Sequence, residues 1–191
     1  MARLPMRIVP DPILRTRAKR ISNIAPSLQR LIDDMVETMY AEDGVGIAAN
    51  QVGVLQRVFV IQLPEDEEPR VLINPEITRR EGTREISEGC LSIPGYRGMV
   101  TRSEKVRAKG LDRNGKLVRI KAEGLLAQAL EHELDHLNGT LYVDHLIEKD
   151  QIWKLDPHEE EPDEDEPSEN PAPPHSPGYL QYLRRTAIAE P

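Results

Sequence analysis

The stretch His132-Glu133-Leu134-Asp135-His136 constrains the fold more than any other part of the chain. Imidazoles four residues apart meet on one face only if the segment is helical, so the spacing predicts a helix that brings both rings to one point. That point suits a metal ion, and Glu133 is placed to face a water bound there. The flanking Leu125, Leu126, Ala129, Leu130 and Leu137 are apolar, so the helix, expected from Gly124 to Leu137 and closed by Asn138-Gly139, runs largely inside the protein. Histidine and glutamate buried there need partners. Two histidines leave a metal site incomplete, and a third ligand must come from elsewhere.

The chain contains one cysteine, Cys90, in Glu88-Gly89-Cys90-Leu91-Ser92. A single cysteine cannot form an internal disulfide, which fits a reducing cytoplasm and leaves the thiol available. A thiolate with two neutral imidazoles makes a three-ligand set with an open fourth position, as catalysis requires. The soft sulfur suits Fe(II), Zn(II) or Co(II) and argues against Mg(II) or Ca(II). Two other readings compete. A zinc endopeptidase would take its third ligand downstream, for example from His145, but the metzincin glycine pattern is absent and Cys90 would be idle. A non-catalytic binding protein with a structural metal would close its site with four protein ligands and leave Glu133 without a purpose.

A length of 191 residues suits one domain of ordinary size. No apolar run approaches the ~18 residues of a membrane-spanning helix, and the start of the chain lacks the apolar segment of an export signal. The net charge of -8 is concentrated: Asp156 to Gly178 carries nine acidic residues and no Lys or Arg. The remaining body is nearly neutral, so bulk charge favours neither nucleic acid nor membrane. The stretch His158 to Gly178, mostly Glu, Asp and Pro, is expected to be disordered, because it cannot bury enough apolar area to offset ordering entropy. Tyr179 to Arg185 reads as a frayed terminus, with a short docking helix as the alternative. The expected organisation is a catalytic domain over 1–155 and an acidic, Pro-rich tail over 156–191.

Leu28, Leu31, Ile32, Met35, Val36 and Met39 recur at three- and four-residue steps and predict an amphipathic helix from Ser27 to Glu42, with Ser27 as its cap. Asp43 to Gly53 reads as a turn and an extended loop of small residues. It lacks the Lys-Ser/Thr ending of a phosphate loop, and Gln51 offers an uncharged amide of the type that stabilises an oxyanion. Strands are expected over Arg57–Leu63, Val71–Ile73, Thr83–Ile86, Met99–Arg102, Lys105–Leu111 and Lys116–Lys121. Glu65–Glu68 is expected to be a hairpin loop, and Asp112-Arg113-Asn114-Gly115 a hairpin turn.

Three motifs in order, Gly44-Val45-Gly46-Ile47-Ala48-Ala49-Asn50-Gln51, Glu88-Gly89-Cys90-Leu91-Ser92 and His132-Glu133-Leu134-Asp135-His136, resemble those of the peptide deformylase family. Asp11-Pro12-Ile13-Leu14 and Asn74-Pro75 also look like that family, and the resemblance covers roughly residues 6–150. It implies an α+β fold, with small antiparallel sheets packed around the central H-E-x-x-H helix. It also implies a metal-dependent hydrolase that removes the N-formyl group from N-formylmethionyl nascent peptides in the cytoplasm, with transient ribosome contact. Cys90, His132 and His136 would hold one divalent ion, most often Fe(II), with Zn(II), Ni(II) or Co(II) as substitutes. Glu133 would move protons, and Gln51 with the Leu91 N–H would face the oxyanion. Gly46 and the neighbouring backbone would pair with the substrate chain, Val45, Ile86, Leu125, Gln128 and Ala129 would line the pocket for its methionine side chain, and Ile47 and Gly89 would also bind substrate. Glu88 is expected to pair with Arg102 behind the metal loop. Two features depart from the family pattern: Glu131 stands where Gln is common, and the tail has no counterpart in the family core.

Overall fold

The computed structural model describes residues 2–155; the expectations for the acidic tail and for Tyr179–Arg185 lie outside the described residues. The strands are β1 (Gly46–Ala48), β2 (Val58–Ile61), β3 (Arg70–Glu81), β4 (Arg84–Cys90), β5 (Ile93–Arg102), β6 (Lys105–Leu111), β7 (Leu117–Glu123) and β8 (Ile152–Lys154), and the helices are α1 (Pro26–Ala41) and α2 (Gly124–Asn138). One sheet runs β1-β2-β3-β6-β7 and the other β4-β5-β8. All the pairings between these strands are antiparallel. This is the expected α+β arrangement.

Strand β2 explains why the two helices lie where they do. Its Val-Phe-Val-Ile run is buried at every position, so both of its faces are covered. Phe59 and Ile61 pack with Ala127, Leu130, Leu134 and Leu137 of α2. Val58 and Val60 pack with Leu28, Ile32, Met35 and Met39 of α1. Side chains of a strand alternate between faces, so one short apolar run joins two cores, with α2 on one side and α1 on the other. Each fully buried Leu, Ile or Phe contributes roughly 1.5–3 kcal/mol.

The β6–β7 hairpin forms as expected. Asp112 Oδ1 accepts from the Asn114 and Lys116 N–H groups at 2.9 and 2.8 Å, and Gly115 takes φ 81°. Helix α2 stops at Gly139, φ 80°, where a Cβ would sit 2.6 Å from the Arg15 carbonyl oxygen. No other residue fits there without moving the backbone.

Several expectations need correction. Ser27 is not the cap: Pro26 opens α1 after Ala25, and no side chain caps it, because proline's fixed φ and missing N–H suit the first helical position. The Asp43–Gly53 loop is partly regular, with β1 followed by a 3-10 turn over Ala49–Val52. Strand β3 continues well beyond Ile73 through register shifts on either side of Ile77. At the first of these Asn74 adopts φ 52°, and its amide is held by the Ile21 N–H and carbonyl, both at 2.8 Å. Strands β4 and β5 are longer than expected, and β8 was not expected at all.

Candidate active site and metal centre

Leu125, Gln128, Ala129, His132 and His136 recur at three- and four-residue steps on α2 and form a single face. The first four line a cavity of about 590 Å3. His132 Nε2 and His136 Nε2 lie 3.2 Å apart, and Cys90 Sγ is 3.1 Å from His136 Nε2. All three donor atoms lie within 4.8 Å of one another. Cys90 reaches this point because the β4–β5 register shifts between Gly89 and Cys90, and such a bulge re-aims a side chain. The Ser92 N–H donates to its sulfur at 3.3 Å.

The rest of the site orients these donors. His132 Nδ1 lies 2.6 Å from Glu88 Oε1, so its N–H donates to the carboxylate and the ring is held with Nε2 facing Cys90 and His136, the nitrogen that serves as a donor once deprotonated. Glu88, 2% exposed, is gripped by Arg102 through Nη2 at 2.7 Å and Nε at 3.0 Å. Arg102 Nη1 reaches Asp135 at 2.6 Å, and Asp135 also meets His145 Nε2 at 3.0 Å. The expected Glu88–Arg102 contact is thus one link of a longer chain. His145 ends that chain, outside the donor cluster, which removes the support for the endopeptidase reading.

Burial pushes Glu88 up, but His132 and Arg102 outweigh it and hold the carboxylate well below its usual range. Burial pushes His132 down, yet the Glu88 charge and Cys90 outweigh that and raise it. His136 is held low by burial and by the neighbouring His132 charge, which keeps it a neutral donor. Glu133 is pushed up to about 7, mainly by burial, so it exchanges a proton near neutral pH. Its Oε2 is buried without a hydrogen-bond partner. Its Oε1 lies so close to β1 that a Cβ on Gly46 would come within 2.5 Å of it.

Gln51, 1% exposed, has its amide direction fixed. Oε1 accepts from the Ala48 N–H at 2.8 Å, so Nε2 points toward Ser92 Oγ at 3.2 Å and Cys90 Sγ at 3.7 Å. The donor set fits one transition-metal ion: a soft thiolate and two imidazole nitrogens, spaced as neighbours around a single centre, with an unpaired buried carboxylate beside them.

Of the residues singled out from sequence, Val45, Gly46, Gln51, Gly89, Cys90, Leu91, Leu125, Gln128, Ala129, His132 and Glu133 line the cavity. Ile47 and Ile86 are not on that wall. Ile47 is fully buried in the core beneath α1, and Ile86 packs with Ile93 and Val100 in the core of the smaller sheet. Sequence reasoning missed the outer wall, formed by Glu42, Asp43, Pro94, Tyr96, Arg97 and Leu155. It also missed Asn50, whose Nδ2 holds the His136 carbonyl at 2.5 Å. Glu131 proves to be a buried tie: it accepts from the Ser103 N–H at 2.9 Å, Ser103 Oγ at 3.0 Å and Arg80 Nε at 2.7 Å. A carboxylate in a run of buried apolar residues was the available signal.

Comparison with known proteins agrees with this geometry. The family model for polypeptide deformylase matches residues 4–151. The peptide deformylase of Dehalococcoides mccartyi (strain CBDB1) is 55% identical over 156 residues, covering 82% of this chain and 93% of that protein. That of Halothermothrix orenii is 51% identical over 144 residues, covering 75% and 94%. Among solved structures, a peptide deformylase from Legionella pneumophila superposes with a TM-score of 0.74 at 49% identity, over 76% of this chain and 86% of that one. One from Synechococcus elongatus in complex with actinonin gives 0.73 at 45%, over 76% and 79%. A central helix with paired histidines, a cysteine brought beside them by a strand bulge and these relatives lead to one conclusion: the chain belongs to the polypeptide deformylase family, metalloenzymes that remove the N-formyl group from nascent peptides.

Proposed function

We propose that residues 1–155 form the catalytic domain, that Cys90, His132 and His136 hold the metal, and that Glu133, Gln51 and the Leu91 N–H carry the reaction. The supporting observation is the convergence of the thiolate, both imidazoles, a raised-pKa carboxyl and a fixed amide donor on one cavity. A bound divalent ion would polarise the formyl carbonyl and make a water nucleophilic near neutral pH. Glu133 takes the proton that this water gives up as its oxygen bonds to the formyl carbon. Charge then gathers on the former carbonyl oxygen, where the Gln51 Nε2–H and the Leu91 N–H donate to it; one such donor is worth about 10²–10³ in kcat. Glu133 passes its proton to the departing α-amine as the C–N bond breaks, and formate leaves.

The substrate backbone would enter between two sheet edges. β1 ends the larger sheet and β4 the smaller, and Val45, Gly46 and Gly89, at or beside these edges, line the cavity. An extended peptide adding to such an edge gains main-chain hydrogen bonds whatever its side chains, which suits substrates of varied sequence. The first side chain would lie against Leu125, Gln128 and Ala129. The thiolate supports Fe(II) over harder ions, with Zn(II), Ni(II) and Co(II) as substitutes. No helix among the described residues is long and apolar enough to cross a membrane. A cytoplasmic enzyme in brief contact with the ribosome fits nascent-chain substrates, and co-sedimentation with ribosomes tests that contact. The assay that decides the chemistry is anaerobic formate release from formyl-Met-Ala-Ser by Fe(II)-loaded protein. Wild type is expected to turn over and Glu133→Ala to keep its metal without doing so. No formate from metallated wild type refutes the proposal.

A further inference from the structure

The wall expected to hold the first side chain of the substrate is not wholly apolar. Gln128 sits on the cavity face of α2 between Leu125 and His132, one turn from the metal ligand. Its Nε2 donates to the Ser87 carbonyl over 3.5 Å, at the outer limit of a hydrogen bond. Gln128 itself lines the cavity, so the second N–H of this loosely held amide can serve a guest there. A thioether sulfur is a weak acceptor and makes little use of such a donor. Oxidised to a sulfoxide, the same side chain keeps nearly the same shape and gains a strongly polar oxygen. An all-apolar wall would strip water from that oxygen without replacing its hydrogen bond.

We propose that the Gln128 amide makes this pocket accept N-formyl-methionine sulfoxide as well as N-formyl-methionine, so that oxidised chain starts are also deformylated. This inference rests on the proposed placement of the first side chain against α2. The sulfur of a sulfoxide is chiral, and a donor fixed to one side of the pocket favours one epimer. The hydrolysis is unchanged: water adds to the formyl carbon, the C–N bond breaks, and the sulfoxide oxygen stays on sulfur.

The test compares kcat/KM for formyl-Met-Ala-Ser and for each epimer of formyl-Met(O)-Ala-Ser, using the full chain loaded with metal. Wild type is expected to discriminate against the better epimer by less than ~10-fold, the modest margin of a pocket that satisfies the added group. Gln128→Met fills the same space without an N–H, and Gln128→Glu keeps the shape with acceptors only. Both are expected to raise that ratio at least ~10-fold, the effect of leaving a buried polar atom unpaired. Inhibition by the deformylated products Met-Ala-Ser and Met(O)-Ala-Ser gives a second readout and should shift in parallel. Ratios and inhibition that stay at the wild-type value in both variants overturn the inference while leaving deformylation intact. Wild type that turns over formyl-Met-Ala-Ser but refuses both epimers overturns it too. Absence of formate from every peptide instead removes the reading on which it rests.

Discussion

Arg102→Met tests the network behind the proposed metal ligands. The Arg102 side chain is 4% exposed and Glu88 2%, so the substitution fills similar space but removes the cation shared by Glu88 and Asp135. Three charge-assisted bonds of 2.6, 2.7 and 3.0 Å are lost, leaving buried Glu88 with His132 alone and Asp135 with His145. Breaking a buried pair from one side costs about 3–5 kcal/mol, a large share of the ~5–15 kcal/mol that holds a domain folded. At roughly 2–4 °C per kcal/mol for a chain of this size, Tm should fall by about 6–20 °C. The penalty should depend on pH in a defined direction. Burial raises both carboxyls, but His132 with Arg102 hold Glu88 below its usual range, and His145 with Arg102 do the same for Asp135. Carboxylates depressed in the folded state contribute stability above their unfolded values near ~4 and lose it as pH falls through the folded ones. The gap between wild type and variant should therefore be widest above about pH 5 and narrow in acid. Urea unfolding of the metal-free proteins from pH 8 down to about pH 3 measures this. A loss under ~1 kcal/mol at pH 7 with an unchanged m-value, or a gap that widens in acid, would refute the reasoning.

Other outcomes follow from the same geometry. Cys90→Ala should abolish stoichiometric metal binding with the fold intact, as elemental analysis and circular dichroism would show. Metal affinity should weaken as pH falls, because His132 is raised and must lose a proton to present Nε2; chelator competition at several pH values measures it, and a flat profile contradicts it. Gly46→Ala should reduce kcat by about 10²-fold, since its Cβ would displace the Glu133 carboxylate and misplacement of about 1 Å costs that much; full activity would show that the carboxylate can move without consequence. Glu131→Ala should destabilise the protein by about 1–3 kcal/mol by leaving the buried Ser103 N–H unpaired, as chemical denaturation would reveal.

The parts of the site that were legible in sequence carry their own local signal. The four-residue histidine spacing predicts a helix, the apolar flanks predict its burial, and a single cysteine leaves few choices for the thiolate. What was not legible depends on distant pairings. Ala49-Asn50-Gln51-Val52 is too short to show a period, and its 3-10 turn exists because Gln51 closes back on Ala48. β3 hides behind Pro75, which ends a strand pattern by eye, although the ladder absorbs it with a bulge. β8 is three residues long and forms only because β5 offers an edge at Tyr96–Gly98. Glu88 reads as one half of an ion pair; that it also aims His132 becomes visible only when residues 44 positions apart meet.

The separation of the parts has a consequence for the order in which the enzyme comes into being. Cys90 and His136 are 46 positions apart and Gln51 and Cys90 are 39, and they arrive on a strand, a helix and a 3-10 turn. Closing such loops costs entropy before any contact at the centre repays it, so the centre assembles after both sheets rather than nucleating them. Leu155, whose N–H bonds to the Gly95 carbonyl at 2.9 Å, contributes to the cavity wall from far along the sequence. A chain emerging from the ribosome therefore lacks part of this cavity until residue 155 has been made, and the three donor atoms meet only once β4 and α2 have both been placed.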